Sequence, residues 1–236
     1  MDYADNPYPS SLGTFAAQAA ADERSDFITK TYLHLAGAIG LFIILETLLQ
    51  AIPGIEGLAM QMVQGYGWLI VLGLFMVVSY VAESWARSAV SPAKQYLGLG
   101  LYVVAQALIF VPLICIARVG YPGAILQAAV VTLVLFAGLT AIVFITRKDF
   151  SFLRSILMFG GFAALGLIVV AILFQFALGP IFTYAMIALA CGYILYHTSN
   201  IMLHYRIGQH VAASLALFAS VALLFWYILQ LFLSRR

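Results

Sequence analysis

His197, Asn200 and His204 recur at i, i+3 and i+7, the spacing that puts three side chains on one face of a helix. They stand in and just after "GYILYHTSNIM", Gly192–Met202, where an apolar run gives way to His197, Thr198, Ser199 and Asn200 in succession. Imidazole and amide groups can take up protons, hydrogen-bond or line a wet path. Towards lipid they are costly, so this face is expected to point into a helix bundle or a vestibule. The plain alternative is that His197 and Asn200 are hydrogen-bonding glue between helices. Glu46, with Gln50 one turn later, raises the same choice. It either reaches the outer interface or stays protonated, or it faces the bundle as a cation or proton site. Glu83 with Arg87 four residues on has the order of a helical ion pair. Gln106, six residues before Pro112, either lines a cavity beside a proline kink or ties two helices together.

The elements around these residues follow from composition. Of 236 residues, 64% are hydrophobic and 8% charged. A soluble domain carries roughly a quarter charged residues, so most of this surface must face lipid. The net charge of +2, with no basic block, gives no footing for nucleic acid. Cys115 and Cys191 lie in apolar runs and read as small packed hydrophobes.

Seven runs are long enough for helices across a bilayer, which takes about 20 residues each. They fall near Thr31–Ala51, Gly67–Ala86, Tyr96–Ala117, Ala124–Ile145, Ser155–Leu178, Ile181–Leu203 and Val211–Leu233. Their unbroken apolar character excludes barrel strands. The expected fold is all-α, a seven-helix transmembrane bundle over 31–236. Residues 1–30 are expected to form a flexible N-terminal tail, with "ADERSDFITK" as a short interfacial helix. Retention of Lys and Arg on the cytoplasmic side sets the orientation. With the N-terminus inside, eight basic residues are inside and three outside (Arg118, Arg235 and Arg236). The Arg235–Arg236 pair leaves open a re-entrant last span.

Catalytic patterns are missing. There is no G-x-S-x-G elbow, no H-E-x-x-H zinc motif and no Schiff-base lysine in the last span. The expectation is a protein that is not an enzyme, with no cofactor and no bound metal.

"TRKDFSFL", Thr146–Leu153, then "GYILYHTSNIM", then "VAASLALFASVALLFWYILQLF" resemble, in that order, the Bax inhibitor-1 family of seven-helix membrane proteins. The likeness covers most of the chain after about Phe27. "TRKD-SFL" and "TSNI" are most similar to the bacterial YccA branch. That resemblance implies a bacterial inner-membrane protein that binds and modulates the FtsH membrane protease in membrane-protein quality control. Other members are pH-sensitive calcium leaks, in which an Asp of a sixth-span "YDT" faces an Asp of the seventh. Here the sixth-span position is His197, and "LALFAS" offers Ala216 and Ser220 instead of a carboxylate. The implied sensor or gate is therefore His197, Asn200, Ala216 and Ser220, with altered chemistry. Protons or calcium are the permeant ions of that alternative, and the lipid bilayer is the partner in either case. His197 is expected to be a neutral ring that hydrogen-bonds Ser220 or Asn200 and responds below about pH 6.

Overall fold

The computed structural model describes residues 13–88, 91–121 and 123–234. The elements are helices: α1 Ala21–Leu49, α2 Ile55–Val63, α3 Gly67–Ala86, α4 Pro92–Gly120, α5 Ala124–Thr146, α6 Leu153–Phe174, α7 Gly179–Leu203 and α8 His210–Ser234. All but α2 are long and apolar enough to cross a membrane, seven in total. The chain is thus an all-α membrane bundle.

The last helix is its axis. Over its most apolar stretch α8 is 78% buried, against 17% for α5 and 11% for α6. It packs on α1, α3, α4, α5 and α7. Its buried face carries Ala212, Ala213, Ser214, Ala216 and Ala222, which let neighbouring backbones come close. In lipid no hydrophobic force drives helices together, so close packing must do so. The core proper is aromatic. Phe110 of α4 meets Phe42 edge-on at 5.1 Å, Phe225 in a stack at 5.7 Å and Trp226 edge-on at 4.9 Å. With 25 residues α8 is about 37 Å long, enough for a full crossing rather than a re-entrant hairpin. Arg235 and Arg236, which prompted the re-entrant reading, lie outside the described residues.

Three features depart from the expectations. "ADERSDFITK" is not a separate interfacial helix but the first three turns of α1. A short helix, α2, occupies the loop after the first span, entered through Gly54 in the left-handed region. The stretch drawn as a tail through residue 30 is docked from Gly13 onward. The Thr14 carbonyl accepts the Ile207 N–H at 2.9 Å, and Ala16 N–H donates to the Tyr205 carbonyl at 2.8 Å. The Arg206 guanidinium sits 4.7 Å over the Phe15 ring. Backbone pairing and a cation–π contact thus fix this stretch to the α7–α8 connection. The tail's first twelve residues lie outside the described ones.

Candidate functional site

Polar groups gather at two ends of the bundle. At the end where α1 begins, the α5–α6 connection folds over the end of α7. Arg147 turns the chain with a left-handed backbone (φ 52°), a strained choice for a side chain with a Cβ. The fully buried Ser199 then takes hold of the connection. Its Oγ accepts the Phe150 N–H at 3.0 Å and donates to the Lys148 carbonyl at 3.3 Å. Outside the bilayer span, His204 Nε2 lies 3.0 Å from Asp149 Oδ2. The other carboxylate oxygen, Oδ1, accepts the Ser151 N–H at 2.8 Å. "TRKDFSFL" and "YHTSNIM", distant in sequence, are therefore one joint.

Two outcomes follow for this joint. Ser199→Ala leaves Phe150 N–H and the Lys148 carbonyl without their partner. The bonds are part-buried, so the expected loss is about 1–3 kcal/mol. A lowered Tm with faster exchange of the Phe150 amide is the readout. The second concerns acid. The Ser151 backbone N–H, then the bond to and charge of His204, hold the Asp149 carboxyl below the usual carboxylate range. A depressed acid stabilises the folded form above its unfolded value, about 3.9, and loses that as pH falls through the folded value. Protection of the Phe150 amide should persist down to about pH 4 and fade below it. In Asp149→Asn the fading should disappear.

The expected sensor residues are placed as follows. His197 is half-buried, with Nδ1 buried and unpartnered. Its ring stacks on Tyr193 at 6.0 Å and meets Tyr196 at 5.0 Å. Arg87 is the charged group that bears on it. Ser220 does not bond it: the Ser220 hydroxyl donates to its own helix at the Ala216 carbonyl, 2.8 Å away. Serine in an apolar helix satisfies itself this way when no outside acceptor is offered. Ala216 is buried beside it on α8. The Asn200 carbonyl accepts the N–H groups of His204 and Tyr205, which ends α7. His204 faces Asp149 in the joint, not the bundle interior. The hydroxyl of Thr198, missed by sequence reasoning as a functional group, is buried beside that of Tyr32 on α1, which also faces Thr140 of α5. None of the three closes a hydrogen bond. Glu83 and Arg87 are 3.8 Å apart and exposed, an ordinary surface pair.

The opposite end holds the deeper charge. Glu46 of α1 is 7% exposed, and Gln50 Nε2 lies 3.5 Å from its Oε2. Its other oxygen, Oε1, is buried without a partner. Gln50 is a junction. Its Nε2 also reaches the Val111 carbonyl at 3.3 Å, while its Oε1 accepts from Cys115 Sγ at 3.2 Å and Arg118 Nη1 at 3.3 Å. Arg118 Nη1 also donates to the Gln50 backbone carbonyl at 2.9 Å. Beyond Gln50 opens a cavity of about 130 Å³, lined by Gln50, Ile55, Glu56, Cys115, Arg118 and Val119. That is polar and roomy enough for several waters, since one needs ~10–15 Å³. Gln106 is buried on α4, and neither it nor Pro112 lines this cavity. Cys115 is thus more than the packed hydrophobe expected: its thiol donates into the Gln50 junction. Among the described residues no three His, Cys, Asp or Glu side chains converge as a metal site.

The two stretches of this joint are the most specific parts of the resemblance, and the match extends well beyond them. Residues 24–236 match the family described as Inhibitor of apoptosis-promoting Bax1. The chain belongs to the Bax inhibitor-1 family. Similar proteins occur in bacteria, plants and yeast. An uncharacterised protein of Pseudomonas aeruginosa is 35% identical over 46% of this chain and 49% of its own. Protein LIFEGUARD 4 of Arabidopsis thaliana is 36% identical over 58% of this chain and 56% of its own. The matches thus span about half the length of these two relatives. Bax inhibitor 1 of Schizosaccharomyces pombe is 28% identical over 92% of this chain and 80% of its own. The stretch of α8 where the resemblance implied a carboxylate offers Ala216 and the self-satisfied Ser220, and the buried carboxylate, Glu46, lies near the other end.

Proposed function

We propose that this chain is a non-catalytic cation leak of the membrane, and that Glu46 is the group that handles the ion. The observation that carries this is the buried Glu46 carboxyl with one oxygen unpartnered and the other beside Gln50, which itself lines a polar cavity. A carboxyl inside a span is costly and is kept where it has work to do. Calcium or protons entering the cavity would meet Glu56 and then Glu46. The test is flux: the purified chain in liposomes should pass calcium or protons above empty liposomes. Flux equal to that of empty liposomes defeats the reading. We assign the pH response of the leak to His197. Charging its ring would add a cation to a seam where Arg87 is the charge already present and only aromatic rings stack on it. A His197→Asn chain should give a flat flux profile as the pH is lowered, where the wild type should change once its ring charges.

A second reading is a partner and modulator of FtsH in a bacterial inner membrane. The docked stretch 13–16 favours it, because it lies against the end of the bundle that the charge rule places in the cytoplasm. Removing Asp2–Ser11 spares that docking and should lengthen the protein's half-life in cells that have the protease. An equal half-life with and without the protease argues against it.

A further inference from the structure

The seam between α1 and α4 carries a groove that neither reading uses. Its volume is about 320 Å³, at the lower edge of ligand pockets, ~300–1,000 Å³. The buried Ala38, Leu99 and Val103 line its depth, and Gly37, Leu41 and Gly100 stand nearer the surface. A side chain at Gly37 or Gly100 would meet no atom within 4 Å, so the glycines leave the space open. Polar groups stand only at the end nearest Lys30. There His34 Nδ1 lies 2.6 Å from the Lys30 carbonyl, which can only accept, so Nδ1 carries the proton. Nε2 then accepts from the Tyr96 hydroxyl at 3.1 Å. The His210 ring centre is 4.9 Å from that of His34. Lys30 is held by Asp26 at 2.7 Å, both side chains more than half exposed, a pair an incoming anion can displace.

We propose that this groove binds one anionic phospholipid, with an acyl chain between α1 and α4 and its phosphate against Lys30 and His210. Three features fix the occupant. The groove opens on a surface that faces lipid, where Leu33 and Leu97 are 65% and 63% exposed. It is polar at one end only, where the charged turns of α1 begin, as a lipid is. It runs from His34 to Leu41, about 10 Å at 1.5 Å per residue. That is two helical turns, too short a furrow for a second copy's helix crossing a core of about 30 Å. With His34 neutral, Lys30 is the cation the rim offers once Asp26 is displaced, and a zwitterion would bring a second cation beside it, which favours an anion.

The experiment is native mass spectrometry of the full chain in detergent, with palmitoyl-oleoyl phosphatidylglycerol and phosphatidylcholine added in equal amounts. The wild type should retain phosphatidylglycerol at least several-fold over phosphatidylcholine. Gly100→Leu, which fills the groove, should lose both. Lys30→Gln should lose the preference and keep the fold. Should Gly100→Leu not fold, Lys30→Gln still decides. Retention by Gly100→Leu equal to wild type overturns the site, and so does an unchanged headgroup preference in Lys30→Gln. A wild type that dimerises in place of retaining lipid overturns the occupant. None of these outcomes depends on ion flux, so failure here and failure of the leak reading are separable.

Discussion

Glu46→Gln is expected to lower cation flux at least about tenfold, a change of ~1.4 kcal/mol or more in the barrier, while the fold is kept. Glutamine has the same length and still offers Gln50 Nε2 an oxygen at the place of Oε2, 3.5 Å away. What it removes is the ability to ionise when a cation arrives. A buried carboxyl with an unpartnered oxygen is a cost to the folded chain, not a gain. Glu46→Gln should therefore melt no lower than wild type and, by the usual opposition of stability and function, slightly higher. The two readouts work together. Flux lost with Tm kept or raised marks a functional group. Unchanged flux with a lowered Tm would mark a structural one and remove Glu46 from the proposal.

Gly98→Val should be the most damaging single substitution in the bundle. The α3–α4 seam is closed at this residue. A Cβ built on Gly98 would stand 2.5 Å from the Ala82 carbonyl oxygen, 2.6 Å from Ala86 N and 3.0 Å from Trp85 Cβ. Two of those three are backbone atoms, which cannot rotate away. The helices must part, and with them the contact of Phe75 on Tyr102 at 6.0 Å. Overpacking costs about 1–3 kcal/mol and occasionally more. A clash against backbone in so close a seam belongs at the top of that range. Thermal melting in detergent should show it. A Tm within a degree or so of wild type would mean that the seam is looser than drawn.

The spans were legible because lipid demands unbroken apolar runs, and the helices contain each of the seven runs or nearly so. Their ends were less so. α1 starts at Ala21, ten residues before the apolar run, because hydropathy marks where lipid begins and not where hydrogen bonding begins. α2 has nine residues and two turns, too short to leave a period in the sequence. That α8 is the axis was hidden for a physical reason: a protein core and a lipid tail are both apolar, so a central helix and a rim helix read alike. The run of Ala212, Ala213, Ser214 and Ala216 was the one available signal. At the sites, local pairs could be read and distant ones could not. Glu46 with Gln50 follows from a four-residue step. The Cys115 thiol and Arg118 guanidinium reach Gln50 from 65 and 68 residues away, and only folding brings them there. Likewise the polar row at His197–Asn200 was visible, but Ser199's partners on the Lys148–Phe150 connection were not.

The proposal that Glu46 meets ions arriving through the Gln50 cavity has a direct chemical test. An apolar carbodiimide enters the bilayer and modifies a carboxyl that is protonated in apolar surroundings, and peptide mapping locates the adduct. On the reconstituted chain the account predicts modification at Glu46 that millimolar calcium slows several-fold, with the exposed Glu83 giving no such protection. Absence of label on Glu46, or labelling that proceeds at the same rate with and without calcium, would contradict it.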